Sequence, residues 1–252
     1  MSSGYDGQTV FASTFTYAYT KLRGRNWVIE ALNRGEGFPG AETFAELKTA
    51  TEGKIVLFEC GNTLITQARS IAAGELLKTD ADVWLTFDDD NFAPRATLHA
   101  LIETARATRG LVGLTCISRA GKTPNHRIEG TWDVGKVESH AGERLYPVVA
   151  IGFGVAAIHR SVIEILSAHP GAWVSSLNDA AFPALFLERL WQGHWVGEDN
   201  AFCMLMHENF LPRYTLLNHG GSHAGQGCRL NEDGSIDSDA ITAERLAAEA
   251  KA

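Results

Sequence analysis

The sequence has few cysteines, fewer basic than acidic residues and no long apolar run, and each shortage excludes a class of protein. It contains 4 cysteines in 252 residues and no CxxC pair, so neither a zinc ribbon nor a dithiol redox motif is present. With 22 Lys and Arg against 30 Asp and Glu, the formal net charge is −8, which argues against nonspecific nucleic-acid binding through a basic surface. No uninterrupted apolar stretch reaches the roughly 18 residues that a membrane span needs.

The N-terminal stretch MSSGYDGQTVF lacks the charged region and the following apolar region of an export signal. We therefore expect a cytoplasmic protein with no membrane partner. The cysteines lie in or beside apolar segments, which predicts buried free thiols in a reducing compartment. They are Cys60, Cys116, Cys203 and Cys228.

The first half of the chain alternates short apolar, β-branched runs with stretches in which apolar residues recur at helical spacing. This alternation predicts a strand-helix-strand-helix-strand unit, which is typical of a parallel sheet in an α/β fold. The predicted elements are, in order, a strand at 54–60, a helix at 63–79, a strand at 81–87, a helix at 93–110 and a strand at 111–118.

The second half is less regular. Residues 119–147 are polar and Gly-rich, and 147–166 predicts a strand, a glycine turn and the start of a helix. A helix is predicted at 197–210, with acidic residues at its N-terminus, where the helix dipole favours them. Residues 213–227 predict a strand that runs into a loop rich in Gly and His, and the tail from Asn231 is charged and Ala-rich.

Three consecutive carboxylates follow the predicted strand 81–87, in the stretch WLTFDDDN. Ligands of open parallel sheets bind at the carboxyl ends of strands, and alternate residues there point the same way, so Asp88 and Asp90 are expected to share a site. Two such carboxylates suit Mg²⁺ or Mn²⁺. The alternative is an acidic N-cap for the next helix. An EF-hand is excluded because the twelfth position counted from Asp88 is His99 rather than Glu.

Two glycine-containing stretches add further candidates. IGFGVAAIHR matches a GxGxxA dinucleotide fingerprint at Gly152 and Gly154, but the residues after it are β-like, and close approach of backbone to a ligand is the preferred interpretation. In NHGGSHAGQG, the glycines between His219 and His223 argue against a helical zinc pair. A neutral imidazole from this loop can complete a metal site with the carboxylates.

Five stretches, in order over most of the chain, together resemble the GT-A nucleotide-sugar glycosyltransferases, in particular the small Anp1-like or phage-type branch. They are GYDGQTV, NTLITQARSIAAGELLKTDADVWLTFDDD, IGFGVAAIHRSV, GEDNAFC and LLNHGG. The resemblance implies a single α/β domain over residues 1–230, with a mostly parallel central sheet flanked by helices. The donor half would extend to about residue 118, the acceptor half would follow, and 231–252 would be a charged tail or helix.

The resemblance also implies roles for individual residues. The DxD motif falls on Asp88 and Asp90, which with His219 would bind Mn²⁺ or Mg²⁺. Glu198 and Asp199 match the EDxxFC segment: in an inverting reaction we expect Asp199 to be the base, with Glu198 contacting substrate hydroxyls, and in a retaining reaction both would only position substrates. The residues implied to contact a UDP- or GDP-sugar are Tyr5, Asp6, Arg69, Asp88, Asp89, Gly152 and Gly154.

Two positions depart from the resemblance. Only MSSG precedes Tyr5, where relatives have a full strand that receives the base, and Ser70 replaces an asparagine near the nucleotide. Aromatic residues of the second half are candidates for acceptor binding, although most are expected to be core residues. They are Trp132, Trp173, Trp191 and Trp195.

The predicted function is metal-dependent transfer of a sugar from a nucleoside-diphosphate sugar to a hydroxyl group. The acceptor is a glycan or a hydroxylated base in DNA, and the acidic charge leans towards the glycan. Two alternatives stay open: a two-metal phosphohydrolase that uses the same carboxylates, and a sugar- or divalent-ion-binding module without catalysis.

Overall fold

The computed structural model describes residues 9–16, 39–61, 64–117, 124–175, 181–223 and 226–238. Within these ranges, the α-helices are α1 (Pro39–Ala50), α2 (Ile65–Leu77), α3 (Arg95–Thr108), α4 (Arg160–Ser167) and α5 (Glu198–Glu208). The strands of the first half are β1 (Val10–Thr16), β2 (Ile55–Gly61), β3 (Val83–Asp88), β4 (Asn91–Phe92) and β5 (Leu111–Leu114). Those of the second half are β6 (His126–Arg127), β7 (Glu138–His140), β8 (Glu143–Pro147), β9 (Ala150–Ile151), β10 (Val155–His159), β11 (Trp173–Ser175), β12 (Ala181–Pro183), β13 (Arg189–Trp191), β14 (His194–Val196), β15 (Arg213–Leu216), β16 (Gly220–His223), β17 (Gln226–Leu230) and β18 (Ile236–Asp237).

Eight strands form the central sheet, in the order β2-β1-β3-β10-β5-β15-β8-β7. Strands β2, β1 and β3 are parallel, β10 is antiparallel to both of its neighbours β3 and β5, and β5 is parallel to β15. Strand β8 is antiparallel to β15, and β7 is antiparallel to β8. Six of these eight strands therefore point the same way and only β10 and β8 point the other way, which confirms the predicted α/β class with a mostly parallel sheet.

The predicted strand-helix-strand-helix-strand unit corresponds to β2, α2, β3, α3 and β5. The apolar stretch after Gly154, predicted to be β-like, forms β10, which enters the sheet between β3 and β5. Because β10, β15, β8 and β7 come from the second half of the chain, the predicted donor and acceptor halves share one sheet.

Strand β1 has no counterpart among the predicted elements. It lies between β2 and β3, and its residues alternate between the two faces of the sheet. Phe11 and Phe15 pack on one side, and Val10 and Ala12 pack on the other.

The central sheet is covered by helices on both faces, each of which has its own apolar core. On one face, Leu76 of α2, Ile163 of α4 and Phe202 of α5 pack with Trp84 of the sheet. The other face carries the apolar residues of α1 and α3. The indole nitrogen of Trp84 donates to Ser13 Oγ at 2.7 Å, which satisfies the polar atom of this fully buried side chain.

A smaller sheet, in the order β18-β17-β16-β4, corrects the prediction of a loop after Asn218. The glycines that predicted a loop allow strand packing here: a Cβ at Gly221 would lie 2.8 Å from the Phe92 carbonyl oxygen and would collide with Leu114. Strand β18 also places residues after 230 in the fold, where Arg229 pairs with Asp237 at 2.9 Å. The predicted boundary at 230 therefore falls inside a hairpin, and residues 239–252 lie outside the described ranges.

The C-terminal end of α2 is closed by one arginine. The guanidinium of Arg160 donates to four backbone carbonyls, and its Nε donates to Glu164 at 2.6 Å. The last turn of a helix leaves carbonyl acceptors without intrahelical partners, and Arg160 supplies donors to carbonyls at the end of α2 and just after it. They belong to Leu76 (3.2 Å), Leu77 (3.0 Å), Thr79 (2.6 Å) and Ala81 (3.2 Å).

Candidate active site

The candidate site lies at the carboxyl ends of β1 and β3, where the N-terminal turns of α2 and α5 meet. Strand register pairs Phe15 near the end of β1 with Asp88, the last residue of β3. Helix α2 contributes Arg69 from its first turns, and α5 begins with Glu198 and Asp199. The structure thus brings together, at one edge of the sheet, side chains that are far apart in the sequence.

Arg69 is the cation at the centre of this edge. Its Nη1 donates to Glu198 Oε1 at 2.6 Å, and its Nη2 donates to Asp88 Oδ1 at 3.1 Å. The side chain is only 3% exposed, and its guanidinium carbon lies 5.7 Å from the ring centre of Phe15 and 5.4 Å from that of Phe153. The buried Nε has no hydrogen-bond partner. The Nε–H of Arg69 is therefore a buried donor without a partner, whereas buried donors in folded proteins usually have one.

The surroundings of Asp88 act on its carboxyl in opposite directions. Burial raises its pKa most, Arg69 lowers it, and the nearby carboxylates of Asp90 and Glu198 raise it further. The net effect is a raised pKa. The backbone of Asp88 is also fixed, since its N–H donates to the Gly154 carbonyl at 3.0 Å.

Asp89 differs from its two neighbours in the role of its backbone. Its carbonyl accepts the Gly40 N–H at 2.9 Å, which fixes the start of α1 against the turn that follows β3. Gly40 is required there, because a Cβ would lie 2.8 Å from Asp89 Cα. Helix α1 thereby supports the segment of three aspartates, Asp88–Asp90, at the end of β3.

Of the two late histidines, His219 directly precedes β16 and His223 is its last residue, and they have different partners. His223 Nε2 lies 3.3 Å from Asp90 Oδ2, whereas His219 Nε2 lies 2.9 Å from Glu143 Oε2. Four residues of extended chain separate the two by about 13 Å at about 3.3 Å per residue. The structure thus brings His223 to the DxD carboxylates and places His219, the predicted metal ligand, beside Glu143 and Thr97.

The two ring nitrogens of His223 have different neighbours. Nδ1 lies 3.0 Å from the Ile117 carbonyl oxygen, which can only accept, so Nδ1 carries hydrogen. In a neutral imidazole, Nε2 then presents a lone pair to the Asp90 carboxylate, and this arrangement is favourable only with a proton or a metal ion between them. Among the residues that the structure describes, no three His, Cys, Asp or Glu side chains converge as a complete metal site. Asp90 and His223 are the carboxylate and the imidazole of the site that face each other.

The two acids of α5 have different surroundings. Glu198 is tied to Arg69, as described above. Asp199 Oδ1 accepts the Asn200 N–H at 2.7 Å, and its Oδ2 faces Gly152, where a Cβ would lie 3.2 Å away. Asp199 thus keeps one carboxylate oxygen turned towards the glycine turn, and Glu198 serves mainly to hold Arg69.

Gly152 and Gly154 make room for side chains of the site itself. A Cβ at Gly154 would lie 2.8 Å from Asn91 Oδ1, and one at Gly152 would also crowd Asn125 at 3.1 Å. The close approach predicted at these glycines is therefore to the side chains of Asn91, Asn125 and Asp199.

Three further residues on the predicted nucleotide side are Ser70, Tyr5 and Asp6. Ser70 is buried, and its Oγ accepts the Phe186 N–H at 3.4 Å, so it holds the backbone at Phe186. Tyr5 and Asp6 lie outside the described residues.

The predicted acceptor-side tryptophans divide into core and surface residues. Trp132 stacks on Tyr146 with ring centres 3.8 Å apart, as a core residue would. Trp191 and Trp195 belong to the β13–β14 hairpin, which is separated from α5 by Gly197 alone. Leu190 and Trp195 are cross-strand partners in this hairpin and are 69% and 67% exposed. Trp195 Nε1 donates to Glu188 Oε2 at 3.1 Å, so the hairpin presents an aromatic ring with an adjacent carboxylate.

Sequence reasoning did not single out Asn91, Asn125 or Phe153 as site residues. Asn91 had a local signal, since it directly follows the three aspartates. Asn125 and Phe153 reach the site only through the pairing of β6 with β9 and the turn into β10, which no local pattern indicates.

Comparison with known proteins gives three similar structures among others. "Crystal Structure of A197 from STIV" has 12% identity over 91% of this chain and 93% of that chain, with a TM-score of 0.49. GalNAc-T7, with UDP, GalNAc and Mn²⁺, has 13% identity over 87% of this chain and 44% of that chain, with a TM-score of 0.45. A glycosyltransferase involved in glycosylation of the major capsid of PBCV-1 has 13% identity over 62% of each chain, with a TM-score of 0.33.

No protein-family model matches the sequence, and no curated protein sequence matches it. All three TM-scores are below 0.5. The fold class stated above is therefore assigned from the strand order and strand directions of the central sheet of this chain. No helix among the described residues is long and apolar enough to cross a membrane.

Proposed function

We propose that this chain is a GT-A glycosyltransferase that moves a sugar from a UDP- or GDP-sugar to the hydroxyl of an acceptor. The observation that supports this most is the cluster of Arg69, Asp88, Asp90, Asp199 and His223 at the carboxyl edge of a mostly parallel sheet. That edge is where α/β folds bind nucleotides and related ligands.

The charge of the site supports a requirement for a divalent cation. Four carboxylates (Asp88, Asp90, Glu198 and Asp199) and one guanidinium, bonded to Asp88 and Glu198, lie at this edge, so a diphosphate entering it would be repelled. When bound at Asp90 and His223, Mn²⁺ or Mg²⁺ would neutralise the charge on the departing nucleoside diphosphate. Asp88 would contribute mainly through Arg69, which carries the permanent positive charge of the site.

Asp199 is proposed as the base that accepts the proton of the attacking hydroxyl. Its Oδ2 faces the space beside Gly152, whereas Glu198 is committed to Arg69. A carboxylate acts as a base only if the hydroxyl comes within hydrogen-bond reach. This assignment corresponds to inversion at the anomeric carbon, and NMR of the product tests it directly.

The acceptor is proposed to be an uncharged glycan that docks on the β13–β14 hairpin. Trp195 offers a flat apolar face and Glu188 offers hydrogen-bond acceptors, a combination that suits a sugar ring. The acidic residues of this region, Glu188, Glu198 and Asp199, disfavour the phosphates of DNA.

A two-metal phosphohydrolase is less well supported by the same geometry. It requires several carboxylates free to converge on a pair of ions about 4 Å apart. Here Asp88 is bonded to Arg69, and Asp90 is bonded to Asn91 and lies beside His223.

The test is release of nucleoside diphosphate from UDP- and GDP-sugars with Mn²⁺, measured with and without acceptors. Neutral oligosaccharides and a DNA duplex that carries a 5-hydroxymethylated base should be compared. We expect turnover to rise with a neutral oligosaccharide and to fall about tenfold in Trp195→Ala. The control is Phe210→Ala, which removes a more exposed aromatic side chain just beyond the far end of α5. Slow hydrolysis that no acceptor accelerates would contradict the transferase, and acceleration only by the DNA would contradict the glycan assignment.

A further inference from the structure

Asn91 is a buried polar side chain beside the carboxylates for which the proposed reaction has no role. It is 1% exposed, and its Nδ2 donates to Asp90 Oδ1 at 2.8 Å. Asn91 also begins β4, and the register of the small sheet pairs it with His223. It therefore adjoins both residues that are proposed to hold the metal ion.

The surroundings of Asn91 fix its amide in one orientation. The thiol of Cys116 lies 3.7 Å from Asn91 Oδ1 and donates to it, and Gly154 leaves space for the amide that a Cβ would fill. A flipped amide would turn its oxygen towards the Asp90 carboxylate, and two acceptors would then face each other. The Asn91 carbonyl is held separately by Thr43 Oγ1, which donates to it at 2.9 Å.

The two oxygens of the Asp90 carboxylate have different neighbours. Oδ1 accepts the Asn91 amide, and Oδ2 is the oxygen that lies beside His223 Nε2. We infer that Asn91 is a positioning residue that orients the Asp90 carboxylate so that Oδ2 and His223 meet one divalent ion. This inference rests on the metal site of the proposed function and adds to it the residue that sets its geometry. Groups that hydrogen-bond metal ligands in this way typically change metal affinity by about 10- to 100-fold when they are removed.

The test is Mn²⁺ binding by the full-length protein alone, measured by electron paramagnetic resonance and calorimetry, without substrates. Asn91→Leu keeps the volume but removes the donor, and Asn91→Ser is a smaller variant whose hydroxyl does not reach Asp90. Both should bind Mn²⁺ about tenfold or more weakly than wild type. The matched control is Thr43→Val, which removes the hydrogen bonds of Thr43 Oγ1 with the Asn91 carbonyl and the Ala93 N–H without touching the Asn91 amide. It should lower the thermal unfolding temperature but leave Mn²⁺ affinity within about twofold.

Wild-type affinity in both Asn91 variants would overturn the inference, and so would an equal loss of affinity in Thr43→Val, because Asn91 would then only stabilise the loop. Absence of Mn²⁺ binding in the wild type would instead refute the metal site of the proposed function. The two failures are therefore distinguishable within one experiment.

Discussion

Helix α2 carries an arginine interaction at each end, and the two differ in their partners. At its C-terminal end, Arg160 donates to four neutral backbone carbonyls and to Glu164, a closing arrangement in which all its nitrogens are used. At its N-terminal end, Arg69 is bonded to two acidic side chains from other elements and keeps a buried Nε without a partner. The first arrangement completes a helix, and the second holds charges together at the edge of a sheet.

The comparison separates a stabilising arginine from one that belongs to a site. Carbonyl acceptors at a helix end need a donor in any folded state, so Arg160 is explained by the fold alone. Asp88 and Glu198 have no such need, since an apolar pair would pack as well or better than a buried ion pair. The grouping of charges around Arg69 is therefore the feature that calls for a function.

Replacing Arg69 should have the largest effect. Arg69→Met leaves Asp88 and Glu198 without their counter-ion, and we expect a loss of about 3 kcal/mol in the free energy of unfolding, at the low end for a buried pair because Asp88 is 31% exposed. Nucleoside diphosphate binding should weaken as well. Urea unfolding and calorimetry measure the two effects.

The pH dependence of the Arg69→Met deficit is a sharper test. The pKa of Asp88 is already raised in the folded protein, and Arg69 opposes that rise, so removing Arg69 raises it further. A carboxyl whose folded pKa exceeds its unfolded value stabilises the fold most below the unfolded pKa, and this contribution is lost as pH rises through the folded pKa. The deficit should therefore shrink from about pH 7 towards about pH 4, and adding Asp88→Asn should restore part of it at neutral pH. A deficit that is independent of pH would make Arg69 a purely structural residue like Arg160.

Asp199→Asn should lower turnover without lowering the stability of the fold. The amide keeps the size and the bond from Asn200 but loses basicity, so turnover should fall about 10²-fold or more. Binding of the nucleotide and the unfolding free energy should stay near wild type. Steady-state kinetics with the best donor and acceptor measure it, and near wild-type turnover would reduce Asp199 to a helix N-terminal acid.

Arg160→Met should give the opposite pattern. Loss of the hydrogen bonds that close α2 should cost about 2 kcal/mol of stability, because several carbonyls lose a charged donor at once. This loss should depend little on pH between about 5 and 8, since four of the five acceptors are neutral carbonyls. The nucleotide affinity of the folded variant should not change. A drop in affinity equal to that of Arg69→Met would show that the two ends of α2 are coupled.

Replacing the two late histidines one at a time should have the smallest effect, and it shows which of them binds the metal ion. His223→Ala should weaken Mn²⁺ binding about tenfold, and His219→Ala should leave it unchanged because that side chain is beside Glu143. Titration of each variant with Mn²⁺ measures it. The reverse result would return His219 to the metal site that the sequence resemblance implies.

The sequence predicts the parts of the fold that depend on local pattern. Apolar β-branched runs and helical spacing locate β2, α2, β3, α3 and β5, and the position of Asp88 at a strand end follows from the same pattern. Arg69 is predicted as a site residue from the resemblance. Its pairing with Glu198, across 129 positions of sequence, depends on how α5 packs against α2 and has no local signal.

Other features depend on pairing between distant strands. Strand β16 is rich in glycine, a composition that predicts a loop, and only its pairing with β4 and β17 explains its extended form. That register decides which histidine meets Asp90. The choice of His219 in the sequence analysis followed its position in a motif, whereas His223 is set by a contact with Asn91 across the sheet.

The most direct test of the proposed donor site is calorimetric titration of the protein with UDP and with GDP in the presence of Mn²⁺, repeated on Asp90→Ala. We predict that one of the two nucleotides binds to the wild type only when Mn²⁺ is present, and that Asp90→Ala abolishes this binding while its thermal unfolding stays cooperative. Equal nucleotide affinity in Asp90→Ala, or binding to the wild type that is indifferent to Mn²⁺, would contradict a metal-dependent donor site at this edge of the sheet.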